Sequence, residues 1–107
     1  MTPENKGDAM KVVLHAPTAT ALTRARSNLN NLIAADPTVR VAIVINADAV
    51  AAALDNPNPV SDSKTLVCPN TLKKINRTAA EPLKVLEEGA IVALVKMQSD
   101  GWTYIRA

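Results

Sequence analysis

The stretch Leu66-Val67-Cys68-Pro69-Asn70-Thr71-Leu72-Lys73-Lys74 reads as the end of a short buried strand turning directly into a helix. Thr65, Leu66 and Val67 are apolar or β-branched, as suits a strand end. Pro69 follows Cys68 at once, and proline is well tolerated as a first helical residue. Leu72 and Ile75 then give an apolar spacing of three, with Lys73, Lys74 and Arg77 alongside. This reading sets the sulfur of Cys68 at a helix N-terminus, where free backbone N–H groups and the positive end of the helix dipole point. Such a place lowers a thiol pKa from its reference of about 8.5 by favouring the thiolate, which is the nucleophile.

Working outward, the same alternation of strand and helix repeats. Lys11-Val12-Val13-Leu14-His15 is a nearly continuous apolar run, as expected of a strand buried on both faces. Ala16-Pro17-Thr18 breaks it, and Thr18 or Thr20 is placed to cap the helix that follows. In that helix, from about 19 to 35, Leu22, Ala25, Leu29, Leu32 and Ile33 form one stripe, while Arg24, Arg26, Ser27 and Asn30 fall mostly off it. Asp36-Pro37 ends it. Val39 to Ile45 is the clearest strand and stops at Asn46. Ala47 to Leu54 reads as a short helix and 55–59 as a loop. Ser63 to Val67 is the third strand, and Asn70 to Asn76 the helix after Cys68. Pro82 to Leu86 reads as a fourth strand and Gly89 as a turn. The helix over 90–98 opens with six consecutive apolar residues, Ala90 to Val95. A helix apolar around most of its circumference is expected to be buried on more than one side, with one side toward another subunit. Trp102 to Ile105 is a short last strand.

Strands alternating with helices predict a parallel sheet covered on both faces. Right-handed crossovers then bring the carboxyl ends of the strands to one edge, where ligands bind. His15, Asn46, Cys68 and the pair Glu87-Glu88 end the first four strands, so this topology gathers them at one rim.

The totals narrow the function classes. The 107 residues make one domain, expected over 10–107 behind a loose polar leader at 1–9. Apolar residues make up 48% and aromatic ones only 2%, so the core is aliphatic. The formal charge of +2, dispersed and without aromatic platforms, argues against a nucleic-acid partner. One cysteine forms no internal disulfide, and the start of the chain lacks the apolar region of a signal peptide. No apolar run reaches membrane-spanning length, so a cytoplasmic domain is expected. The only glycines, Gly7, Gly89 and Gly101, build no phosphate loop. One His and one Cys give no metal cluster, and no G-x-S-x-G elbow is present. No cofactor is expected.

Three pieces resemble the DsrE/DsrF-like (YchN-like) family of small sulfur-relay proteins. They are Lys11-Val12-Val13-Leu14-His15, Val67-Cys68-Pro69-Asn70-Thr71-Leu72, and the closing Met97-Gln98-Ser99-Asp100-Gly101-Trp102-Thr103-Tyr104-Ile105-Arg106. The resemblance runs from about Lys11 to Arg106. It implies a three-layer α/β/α fold with a five-stranded parallel sheet, and homo-oligomers, commonly trimers or hexamers. It also implies a cysteine that carries sulfur as a persulfide, at the position of Cys68.

Each candidate residue has a plainer reading beside the chemical one. Cys68 is either the sulfur-carrying nucleophile or a small buried apolar residue. His15, the only histidine, either takes the thiol proton or stabilises the thiolate, or else bonds a neighbouring loop. Asn46 is a donor for a bound anion or persulfide, or a loop-starting residue. Asn70 and Thr71, beside the sulfur, are candidate ligand contacts whose positions also suit starting a helix. Lys73 and Lys74 fit a solvated face, and Glu87 and Glu88 the start of a helix, better than catalysis. Trp102 and Tyr104 line either the site or an interface. The expected function is a sulfur carrier with donor and acceptor partners. The alternatives are a ligand-binding or assembly module without covalent chemistry, and a redox-sensing thiol.

Overall fold

The computed structural model describes residues 9–107. The leader expected over 1–9 lies, apart from Ala9, outside the described residues. The chain runs β1 (Lys11–Ala16), α1 (Ala19–Ala35), β2 (Arg40–Ile45), α2 (Asp48–Asp55), α3 (Pro59–Asp62), β3 (Thr65–Val67), α4 (Pro69–Ile75), β4 (Lys84–Val85), α5 (Ala90–Ser99) and β5 (Thr103–Arg106). The five strands form one sheet in the order β4-β3-β2-β1-β5, and every pairing is parallel.

Successive residues of a strand face opposite sides of a sheet, and the sequence of the strands uses both sides. Val12, Leu14 and Ala16 of β1, Val41, Ile43 and Ile45 of β2 and Val67 of β3 pack on one face. There they meet Ala21, Leu22, Ala25 and Leu29 of α1, Ala49, Val50 and Ala53 of α2, and Leu72 of α4. Val13, Val44 and Cys68 turn to the other face, against Ala90 and Leu94 of α5. The result is a three-layer α/β/α arrangement whose second face is covered by α5. Thr18 caps α1 as the sequence implies, its hydroxyl accepting the Ala21 N–H at 3.0 Å.

Four elements depart from the sequence reading. The segment read as a loop from Asp55 to Pro59 gives way at Pro59 to the short helix α3, which has proline in its first turn and the Asn58 side chain as N-cap. Its Asp62 is 3% exposed and pairs with Arg26 at 3.2 Å, which explains an arginine off the apolar stripe of α1. Because α3 extends to Asp62, β3 starts at Thr65 rather than Ser63. The fourth strand shrinks to Lys84–Val85. Proline has no ladder N–H to give, and the Leu83 N–H turns back to Ala80. Helix α5 is not buried on several sides within the chain: Ile91, Val92 and Val95 are 61%, 46% and 58% exposed. Only Ala90 and Leu94 of α5 are buried, because a single sheet face is available to it. The last strand starts at Thr103, and Trp102 sits ahead of it with the cations of Lys11 and Arg40 over its ring, 5.8 and 5.4 Å from the ring centroid.

The layering also fixes where the sheet's connections change sides. Helices α1, α2 and α4 lie on one face and α5 on the other, and α5 carries the chain from β4 at one edge to β5 at the opposite edge. The change of direction therefore falls between β1 and β5. At such a switch point the carboxyl ends of the strands open a crevice.

Candidate functional site

Cys68 ends β3 and is the residue from which α4 starts; its backbone (φ −67°, ψ 120°) is extended. Its N–H bonds the carbonyl of Ile45 at 3.0 Å, which ties it to β2, and its carbonyl accepts from Leu72 N–H at 3.3 Å, which opens α4. The residue is 5% exposed. Its sulfur turns to the α5 face and accepts the N–H of Ala90 at 3.4 Å. Ala90 is the first residue of α5, so the amino ends of two helices meet at one sulfur. Burial raises the thiol pKa, but the N–H of Ala90, the N–H and hydroxyl of Thr71 and the N–H of Asn70 outweigh it, and the pKa lies below the ordinary thiol value. Donors of this kind favour the charged form by hydrogen bonding to it.

Thr71 is held for this task from its other side. Its Oγ1 accepts the N–H of Ala47 at 3.1 Å, which leaves the hydroxyl proton to be donated to sulfur. Ala47 has φ 51° and ψ −137°, a conformation that side-chain-bearing residues rarely adopt. Backbone strain of this sort persists where the surroundings impose it. Gly89, at the turn into α5, is approached closely by Asn70: a Cβ built at Gly89 would lie 2.8 Å from Asn70 Nδ2. Asn70 and Thr71 are therefore both at the sulfur through their backbone amides, and Thr71 also through its hydroxyl.

His15 and Asn46 do meet. His15 is 8% exposed and both its ring nitrogens are engaged: Nε2 with Asn46 Oδ1 at 2.9 Å and Nδ1 with the Tyr104 hydroxyl at 2.7 Å. An amide oxygen can only accept, so Nε2 carries the proton and donates. Nδ1 then accepts from the tyrosine O–H. His15 is not brought to Cys68. It stands on β1, Cys68 on β3, and β2 runs between them, so the two are about 10 Å apart at the strand spacing. Asn46 fills the gap, one residue beyond Ile45, whose carbonyl holds Cys68. By the alternation along each strand, Tyr104, His15, Asn46 and Cys68 share the α5 face.

The other candidates lie outside this line. Lys73 and Lys74 are exposed in the last turn of α4. Glu87 and Glu88 are exposed, and Glu88 accepts from Lys96 Nζ at 2.6 Å across the start of α5. A cavity of about 820 Å³ is lined by Pro69, Leu72, Lys73, Arg77 and Val85 among others, on the α4 side of the sheet, away from the sulfur. Among the described residues no three His, Cys, Asp or Glu side chains gather as a metal set. Among the same residues no helix is long and apolar enough to cross a membrane.

Sequence reasoning did not find Ala90, Ala47 or the bond from Tyr104 to His15. Ala90 and Ala47 act through backbone N–H groups, which leave no mark in residue type. Tyr104 was visible only as an aromatic near the end of the chain, 89 positions from His15. Compared with known proteins, the chain matches no protein-family model and no curated protein.

Proposed function

We propose that the protein is a sulfur carrier in which Cys68 holds sulfane sulfur as a persulfide. The observation that carries this reading is the convergence of N–H and hydroxyl donors from α4 and α5 on one sulfur at the rim of a parallel sheet. The resemblance to small sulfur-relay proteins supports it. The thiolate attacks the outer sulfur of a persulfide or polysulfide donor. A bond forms between Sγ and that sulfur, the donor's S–S bond breaks, and the electron pair leaves with the donor thiolate. An acceptor thiolate then attacks the carried sulfur and Cys68 departs as thiolate. No net oxidation occurs, so neither metal nor cofactor is required. A free, ionised thiol suits a reducing cytoplasm.

The test is intact mass under non-reducing conditions after incubation with polysulfide or thiosulfate, on wild type and Cys68→Ala. The expected result is a gain of one or more sulfur atoms on wild type only, removed by reductant. No adduct on wild type overturns the proposal.

A second reading, an assembly module without covalent chemistry, is favoured by the apolar outer face of α5, where Ile91, Val92 and Val95 stand exposed. The two readings are compatible, and we propose that this face joins copies of the chain, as a trimer or hexamer. Glu88 and Lys96 border it with opposite charges, a pattern that complements itself between copies. Light scattering on wild type and Val95→Glu checks this: the variant is expected to run as a smaller species.

A further inference from the structure

The switch point of the sheet lies between β1 and β5, two strands away from Cys68, and the side chains there are not idle. From that crevice a continuous polar row crosses the rim: Tyr104 on β5, His15 on β1, Asn46 after β2, and then Cys68 after β3. The row has a definite direction. The Tyr104 hydroxyl donates to His15 Nδ1, which fixes the neutral ring with its proton on Nε2. Nε2–H donates to Asn46 Oδ1, which fixes which way the amide faces. With its oxygen turned to β1, the amide's NH₂ group is turned away from His15, on the side of β2 where β3 and Cys68 lie. Neither ring nitrogen is left to act as a base.

We propose that Tyr104 and His15 are positioning residues that hold the Asn46 NH₂ group as an anion donor beside Cys68, and that the sulfur donor taken from this rim is an anion. This rests on the carrier reading for the identity of the substrate. Arg106, exposed and opposite His15 in register, adds a cation at the far end of the same row. A donor such as an inorganic polysulfide carries its charge at a chain end. Bound along this row, its charged end meets the amide while its outer sulfur faces the thiolate. Removing Tyr104's hydroxyl releases the row without touching charge or thiol: His15 Nδ1 can then carry the proton, Nε2 becomes an acceptor, and the Asn46 amide turns its NH₂ toward the ring.

The test uses two alkylating reagents of the same reactivity class, the anion iodoacetate and the neutral iodoacetamide, on wild type, Tyr104→Phe and Asn46→Ala. Asn46→Ala is expected to lower the iodoacetate-to-iodoacetamide rate ratio at Cys68 about ten-fold, the effect of losing one hydrogen bond to a charged group. Tyr104→Phe is expected to lower it about two-fold, because two ring tautomers now share the population. The iodoacetamide rate should stay near wild type in both, which a general loosening of the structure would not allow. An unchanged ratio in both variants overturns the proposal. Polysulfide loading, followed by mass, separates this proposal from the carrier reading. Loading of wild type with no dependence on Asn46 or Tyr104 leaves the carrier and removes the positioning row. A shifted alkylation ratio without any loading keeps the row and removes sulfur transfer.

Discussion

Thr71 is the residue on which the state of the thiol turns most directly, because its hydroxyl is committed on both sides, to Ala47 N–H and to sulfur. Thr71→Val keeps the shape and removes the donor, so the midpoint of alkylation rate against pH is expected to move upward, while Thr71→Ser keeps it near wild type. The same thiol links pH to stability. A pKa lowered in the folded state gives stability that is present above the unfolded thiol pKa and lost as pH falls through the folded one. The difference in unfolding free energy between wild type and Cys68→Ala should therefore favour wild type more as pH rises through that window, measured by urea denaturation at a series of pH values. Ala47 gives a third prediction. Its positive φ suits glycine, so Ala47→Gly is expected to stabilise by about 1 kcal/mol, visible as a higher melting temperature. At this scale the sequence was legible where chemistry resides in a side chain, as for Cys68, His15 and Asn46. It was silent where the chemistry is a backbone N–H or a backbone angle, as for Ala90 and Ala47.

Among the elements, α3 and α5 carry the clearest consequences. Helix α3 has four residues and is anchored by Asp62, which takes the Arg26 guanidinium at 3.2 Å and the Asn58 N–H at 2.9 Å. Asp62→Ala strands a largely covered arginine on α1, and a loss of about 3 kcal/mol is expected in chemical denaturation, the usual effect of removing one partner of a buried pair. Helix α5 divides by face. Leu94, 4% exposed, packs on the sheet. Leu94→Ala should lower stability by roughly 2–5 kcal/mol, whereas substitutions at Ile91 and Val95 should leave the isolated fold almost unmoved and act on assembly. The apolar run of α5 was plain in the sequence, but which residues the sheet would cover was not. That depends on α5 having one neighbour rather than two, a fact of layering and not of periodicity. Helix α3 was hidden because the proline-rich stretch before it carries the same signals whether a loop continues or a helix starts.

For the molecule as a whole, five apolar runs separated by helical stripes were enough to predict a parallel sheet with both faces covered. The strand order was beyond them. Nothing in the residues of β5 says that it pairs with β1 rather than with β4, and the row from Tyr104 to Cys68 exists only in that order. The pairing has a kinetic side. Tyr104 and His15 are 89 positions apart, and the α5 crossover must span the sheet before their bond can form. Contacts so distant in sequence require closure of long loops and slow the approach to the native state. As the chain is synthesised, β1, β2 and β3 emerge long before β5 and can pair without it. During that interval β1 is an open edge, with its hydrogen-bonding groups offered to any strand that comes near. The arrival of β5 closes that edge and, in the same step, completes the polar row, so the nascent protein gains its protection from aggregation and its rim chemistry together.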